Sequence, residues 1–188
     1  MRVARRALLG LVAQLAAAGA AAADADLEYR NGFLNWPGGS ARAAVGRAGV
    51  GAHKKEGDGA TPAGIFPLVS AFYRADRMPP PRSGLPLRAL SPSDAWVDDP
   101  GDRNYNRLVS LPYSAHAEPM WLDDALYDLL VVIGYNMAPV VPGGGSAIFL
   151  HVAGPDFAPT AGCIAIEKNA LVRLMPRLGP TSTITIIG

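Results

Sequence analysis

Cysteine is nearly missing from this sequence: Cys163 is the single one in 188 residues. A lone thiol closes no internal disulfide, so no disulfide framework holds the fold. Neither a Cys-x-x-Cys nor a His-Glu-x-x-His spacing occurs, which removes the common zinc sites, and the sequence points to no metal or organic cofactor. An excess of positive charge is also missing, with 17 lysines and arginines against 16 acidic residues. Nucleic-acid binding wants a basic face, so nucleic acid is not an expected partner. Charged residues make up only 18% of the chain, yet aliphatic runs are well spread, and that excludes a disordered polymer. Internal repeats and long low-complexity linkers are absent, so a single domain is expected.

What is plentiful is turn chemistry. The 21 glycines and 17 prolines favour a turn-rich, mainly β architecture over a helical bundle. Residues 41–46 read as an early strand. Thr61-Pro62-Ala63-Gly64-Ile65-Phe66 reads as a tight turn leading into a strand through Val69. Residues 78–92 read as irregular surface, residues 96–100 and Tyr105-Asn106 as further loops, and residues 120–127 as a short helical turn. The run Leu129–Ile133 is uniformly apolar and predicts a fully buried strand. Residues 146–152 predict another strand with His151 near its tip, residues 163–167 a short one, and residues 181–187 a β-branched one. Leu171, Leu174, Met175 and Leu178 recur at helical spacing over residues 168–178, where Pro176 weakens the last turn. The expected fold is mainly β, a mixed, β-sandwich-like core with one or two short helices.

The first 25 residues read as an export signal. Arg2, Arg5 and Arg6 form a positive n-region, residues 7–18 are apolar, and Ala23-Asp24-Ala25 offers small residues to a signal peptidase. An uncleaved anchor is the alternative, because the apolar run is almost long enough to span a bilayer. Cleavage after Ala25 would take Arg2, Arg5, Arg6 and Asp24 from the 17 basic and 16 acidic residues, leaving 14 against 15. The expected mature domain, residues 26–188, is then a periplasmic or secreted monomer with no stable membrane insertion.

Outside the cytoplasm an unpaired thiol risks oxidation, so its retention asks for a reason. A thiolate attacks acyl groups, but a free thiol with a pKa of about 8.5 is mostly protonated at neutral pH. A cysteine enzyme therefore needs a base beside it, and histidine suits that task. His151 ends one predicted strand and Cys163 begins the next, twelve positions later, so the two side chains can meet at adjacent strand ends. Gly162 allows close approach of a substrate to the backbone, and the N–H groups around Gly162 and Cys163 can face a tetrahedral oxyanion. His53 and His116 have no such context and read as surface residues. Asp98, Asp99, Asp123 and Asp124 read as solvated turn residues.

The string Gly145-Ser146-Ala147-Ile148-Phe149-Leu150-His151, followed by Thr160-Ala161-Gly162-Cys163-Ile164, resembles the YkuD-type L,D-transpeptidase family. Thr61-Pro62-x-Gly64-x-Phe66, Lys55 to Gly59, Trp96 to Pro100, Tyr105-Asn106 and Gly134-Tyr135-Asn136 extend that resemblance over roughly residues 45–187. It implies that Cys163 attacks the carbonyl between the third residue of a peptidoglycan stem peptide and its terminal D-alanine. It further implies that His151 is the base or imidazolium partner, oriented by the backbone carbonyl of Val152, and that Thr160, Tyr135 and Asn136 contribute to substrate binding. An amine acceptor would give a cross-link, and water would give carboxypeptidase activity. Two positions depart from the family pattern. Thr160-Ala161-Gly162-Cys163 stands where better-known members have Ser-His-Gly-Cys, and Ala165 stands where an Arg or Asn often follows Cys-Ile.

Other readings meet specific objections. Sortase-like enzymes separate His and Cys much more widely and add a downstream arginine. Papain-like and NlpC-type hydrolases place Cys before His. Penicillin-binding serine enzymes need Ser-x-x-Lys, which is absent. A non-catalytic peptidoglycan-binding envelope protein is the alternative from a different class, and Ala165 is the residue that keeps it open.

Overall fold

The computed structural model describes residues 24–188. The expected export signal therefore lies outside the described residues, apart from Asp24 and Ala25. These two are joined to the domain: Ala25 N donates to Arg177 O at 2.8 Å, and Asp24 Oδ2 accepts from the N–H and hydroxyl of Thr181 at 2.9 and 2.8 Å.

Short-range chemistry sets the first strands. Leu27-Glu28-Tyr29-Arg30 alternates apolar and polar residues and forms β1 (Leu27–Arg30) with alternating burial. Asn31 and Gly32 follow with φ of 52° and 82°, the positive angles that a two-residue hairpin turn requires. The chain then folds back into β2 (Phe33–Trp36) and β3 (Gly39–Ala44). A small parallel pair, β4 (Val50–Gly51) and β5 (Thr61–Pro62), precedes the long β6 (Gly64–Tyr73) and its parallel neighbour β7 (Leu87–Ala89). Next come β8 (Asp94–Val97), β9 (Leu108–Ser110) and β10 (Ala117–Pro119), a separate three-stranded antiparallel sheet. The chain finishes with β11 (Leu129–Ile133), β12 (Phe149–Val152), β13 (Ile164–Ile166), the helix α1 (Lys168–Leu174) and β14 (Thr183–Ile186).

The large sheet runs β11-β12-β13-β3-β2-β1-β14-β6-β7, and β6 pairs back onto β11. The expected mainly β fold is present, and the sandwich-like core takes the form of a barrel-like closed sheet. Strand β11 explains the two sides of the interior. Leu129, Val131 and Ile133 enter the main core with Leu150, Ile164, Ile166, Leu171 and Leu174. Leu130 and Val132 point the other way, into a second cluster with Phe72, Trp96, Met120, Tyr127, Phe149 and Cys163. A strand covered on both faces must be apolar at every position, which is why its sequence does not alternate.

Several expected boundaries move. The strand expected at residues 146–152 opens only at Phe149, because Ala147 is left-handed with φ 51°. Trp96 and Val97 end β8, where a loop was expected, while β7 interrupts the proline-rich segment 78–92. No helix forms over residues 120–127. There the Arg77 guanidinium takes the carbonyls of Asp123 and Asp124, and Asp124 Oδ1 receives the Leu126 N–H at 3.0 Å, so local bonding competes with a helical turn. Helix α1 stops at Leu174 and tightens into a 3₁₀ turn, Met175–Arg177, containing Pro176.

Candidate active site

Strands β12 and β13 are parallel neighbours, with Leu150 opposite Ile164, His151 opposite Ala165 and Val152 opposite Ile166. Side chains alternate along each strand, so Leu150, Val152, Ile164 and Ile166 fill the main core. Phe149, His151, Cys163 and Ala165 point to the opposite face. Cys163, two residues before Ala165, is therefore a diagonal same-face neighbour of His151. Both are largely buried, at 8% and 5% exposure, and both border one cavity of about 790 Å³. That size suits a peptide-like ligand.

His151 is oriented from both sides. Its Nδ1 lies 2.8 Å from the carbonyl oxygen of Val152. A carbonyl only accepts, so Nδ1 carries the proton and Nε2 keeps its lone pair. The ring of Tyr127 packs edge-on against the imidazole, with centroids 5.4 Å apart. Burial holds the His151 pKa below its ordinary value of 6.5. The Cys163 thiol donates to Ala147 O at 3.2 Å and accepts from Phe149 N at 3.4 Å. Burial pushes its pKa up to about 12. The resting pair is a neutral thiol with a neutral imidazole.

The loop before β13 is tied at several points. Thr160 Oγ1 donates to Cys163 O at 2.7 Å and accepts from Gly162 N at 3.1 Å. Thr160 N donates to Val45 O, and Thr160 O accepts from Arg47 N, both at 2.9 Å. Gly162 has φ 151°, and a Cβ there would stand 2.9 Å from Ala60 O, so both conformation and space call for glycine. The expected oxyanion role divides here. The Gly162 N–H is occupied by the Thr160 hydroxyl, while the Cys163 N–H meets no internal acceptor among the described residues.

Thr160 borders the cavity, and its hydroxyl donates one bond and accepts another within the loop. Tyr135 and Asn136, expected to bind substrate, do not border the cavity. Tyr135 OH donates to Gly144 O at 2.5 Å, and the Asn136 amide closes a turn through Val141 N, Val141 O and Gly145 O. Their polar atoms hold the 136–145 loop. His53 and His116 are exposed, as expected for surface residues.

Other residues around the site were less visible in the sequence. Asn106, buried at 2% exposure, accepts at Oδ1 from Trp96 Nε1 (2.8 Å) and Ala147 N (3.1 Å). Its amide donates to the carbonyls of Tyr135 (3.0 Å) and Asn136 (2.8 Å). Asn106 thereby fixes Ala147, whose carbonyl holds the thiol. Glu56 accepts from Tyr105 OH and Ser146 Oγ at 2.5 and 2.7 Å, and Glu118 accepts from Tyr127 OH at 2.5 Å. Both carboxylates border the cavity, and burial pushes the Glu118 carboxyl upward. Among the described residues no group of three or more His, Cys, Asp or Glu side chains is arranged to hold a metal ion.

A family model described as the L,D-transpeptidase catalytic domain (YkuD) matches residues 24–187. No curated protein and no solved structure gives a match.

Proposed function

Because the chain belongs to the YkuD family of L,D-transpeptidase catalytic domains, we propose that it is an exported cysteine acyltransferase acting on peptidoglycan stem tetrapeptides. The observation that carries this reading is the placing of Cys163 and His151 on one face of adjacent strands beside one cavity, with His151 Nδ1 held by the Val152 carbonyl. Nε2 of His151 takes the thiol proton as Sγ bonds to the carbonyl carbon before the terminal D-alanine. The carbonyl π pair moves onto oxygen, and the Cys163 N–H faces the developing charge. Collapse of this intermediate breaks the C–N bond, and the imidazolium returns its proton to the departing amine of D-alanine. A thioester remains on Cys163. An amine then attacks it, loses a proton to His151, and releases the thiol as a cross-linked peptide forms; water in the same place gives the shortened tripeptide.

Burial disfavours a standing thiolate–imidazolium pair, so proton transfer belongs to the substrate complex and not to the free protein. The same burial supports the competing reading, a peptidoglycan-binding envelope protein with an inert thiol. Incubation with disaccharide-tetrapeptide separates the two. The enzyme releases D-alanine and loses that activity in Cys163→Ala, whereas the binding protein retains the peptide and releases nothing. Product masses then distinguish cross-linking from hydrolysis.

Export rests on the N-terminal segment, and residues 24–188 are the proposed working domain, a monomer in the periplasm or outside the cell. Asp24 and Ala25 are bonded into the fold, and Ala21-Ala22-Ala23 also offers small residues to a signal peptidase. These features support cleavage after Ala23 as the proposed boundary, where the sequence reading put it after Ala25. No helix among the described residues is long and apolar enough to cross a membrane.

A further inference from the structure

Two basic side chains border the cavity, Lys54 and Arg47. Lys54 is already matched: its Nζ lies 2.6 Å from Asp58 Oδ1 and donates to Lys55 O at 2.9 Å. Arg47 is exposed and makes no ion pair among the described residues. Resting on the proposed function, we infer that Arg47 binds the terminal carboxylate of the donor stem peptide and selects donors that end in a free acid.

Three features place it for this task. Arg47 is fastened to the loop that carries Cys163, because its N–H donates to Thr160 O and Gly46 bridges Thr160. Its side chain lies over Gly59, where an added Cβ would stand 2.9 Å from the guanidinium carbon. The carbonyl of Ala60, the next residue, backs Gly162, the neighbour of Cys163. The departing residue is one Cα–Cα step, about 3.8 Å, beyond the acyl residue, so whatever reads its carboxylate must stand next to the nucleophile loop.

Charge gives the direction. Glu56, Asp98, Glu118 and Asp124 are the acidic residues of the cavity border, Asp98 bonded to His116, and a carboxylate is repelled from them. An unpaired guanidinium keeps its fork available for bidentate contact with a carboxylate. The Arg47 side of the cavity is therefore where the anionic end of the donor fits, and the acidic remainder suits a cationic group.

The test uses Cys163→Ala protein, so that no donor is consumed, and isothermal titration with two disaccharide-tetrapeptides that differ only in a terminal D-alanine or D-alaninamide. The acid should bind at least about tenfold more tightly than the amide, the scale of a lost charge-assisted hydrogen bond. Adding Arg47→Gln should bring the acid down to the affinity of the amide. Arg173→Gln, an equal loss of charge on the exposed face of α1, should leave the acid–amide difference intact. Persistence of that difference in Arg47→Gln overturns the inference. So does equal binding of the two donors, or a difference that appears only when a carboxylate on the third residue is amidated. Failure of the wild-type protein to release D-alanine would contradict the parent reading alone, because the binding comparison does not depend on turnover.

Discussion

Burial acts on Cys163 and His151 in opposite directions and toward the same state, a neutral thiol beside a neutral imidazole. A raised thiol pKa means that the thiolate fraction trails that of free cysteine at every pH below about 12. Iodoacetamide should therefore alkylate Cys163 more slowly than free cysteine at pH 8, with the rate still rising beyond pH 10; a rate that levels off near pH 7 contradicts this. His151 shifts the other way. Because its pKa is lowered, it stays a neutral base as pH falls through 6.5, so the acid limb of kcat/KM for D-alanine release should lie below that value. An acid limb above 6.5 would require a different base. Cys163 and His151 were legible because a short connection joins their two predicted strands and the strings around them resemble the family's; the Val152 carbonyl followed from that resemblance alone. It could not separate Thr160 as a binder from Thr160 as a brace, since a hydroxyl has the same chemistry in both roles. The structure sets that hydroxyl between Cys163 O and Gly162 N, where it braces the loop beside the cavity.

Among the elements, β11 was the most legible, because a strand covered on both faces leaves no polar position to confuse its reading. The approach to β12 was the least legible. Ala147 is left-handed, and alanine carries none of the glycine or asparagine preference that marks such a turn. What holds it there is Asn106, contributed from the end of the β8–β9 connection forty-one positions earlier. No local pattern reports a contact of that range. Asn106→Ala strands the indole N–H of Trp96 and three backbone groups, and should cost roughly 2–4 kcal/mol at about 1–3 kcal/mol per unsatisfied buried group with partial relaxation. Thermal unfolding checks this: the melting temperature should fall by about 4–16 °C at roughly 2–4 °C per kcal/mol for a domain of this size. An unchanged melting temperature would mean that Asn106 does not organise the loop.

For the whole molecule, the sequence conveyed a mainly β domain and its family but not its closure. Closure depends on β1 lying parallel to β14 and on β6 pairing with both β14 and β11, contacts between segments remote in sequence. It also places Ala25 and Asp24 against Arg177 and Thr181, which joins both residues to the fold. N-terminal sequencing of the exported protein should accordingly read Asp24-Ala25-Asp26, and a start at Asp26 would contradict the proposed boundary. The proposed function depends on the cavity beside His151 and Cys163 being a place where an acyl group passes through sulfur. Mass spectrometry of the protein quenched during turnover with disaccharide-tetrapeptide tests this most directly. An adduct of donor mass less D-alanine is expected on the peptide containing Cys163, and none in Cys163→Ala. D-alanine release that persists in Cys163→Ala would contradict it.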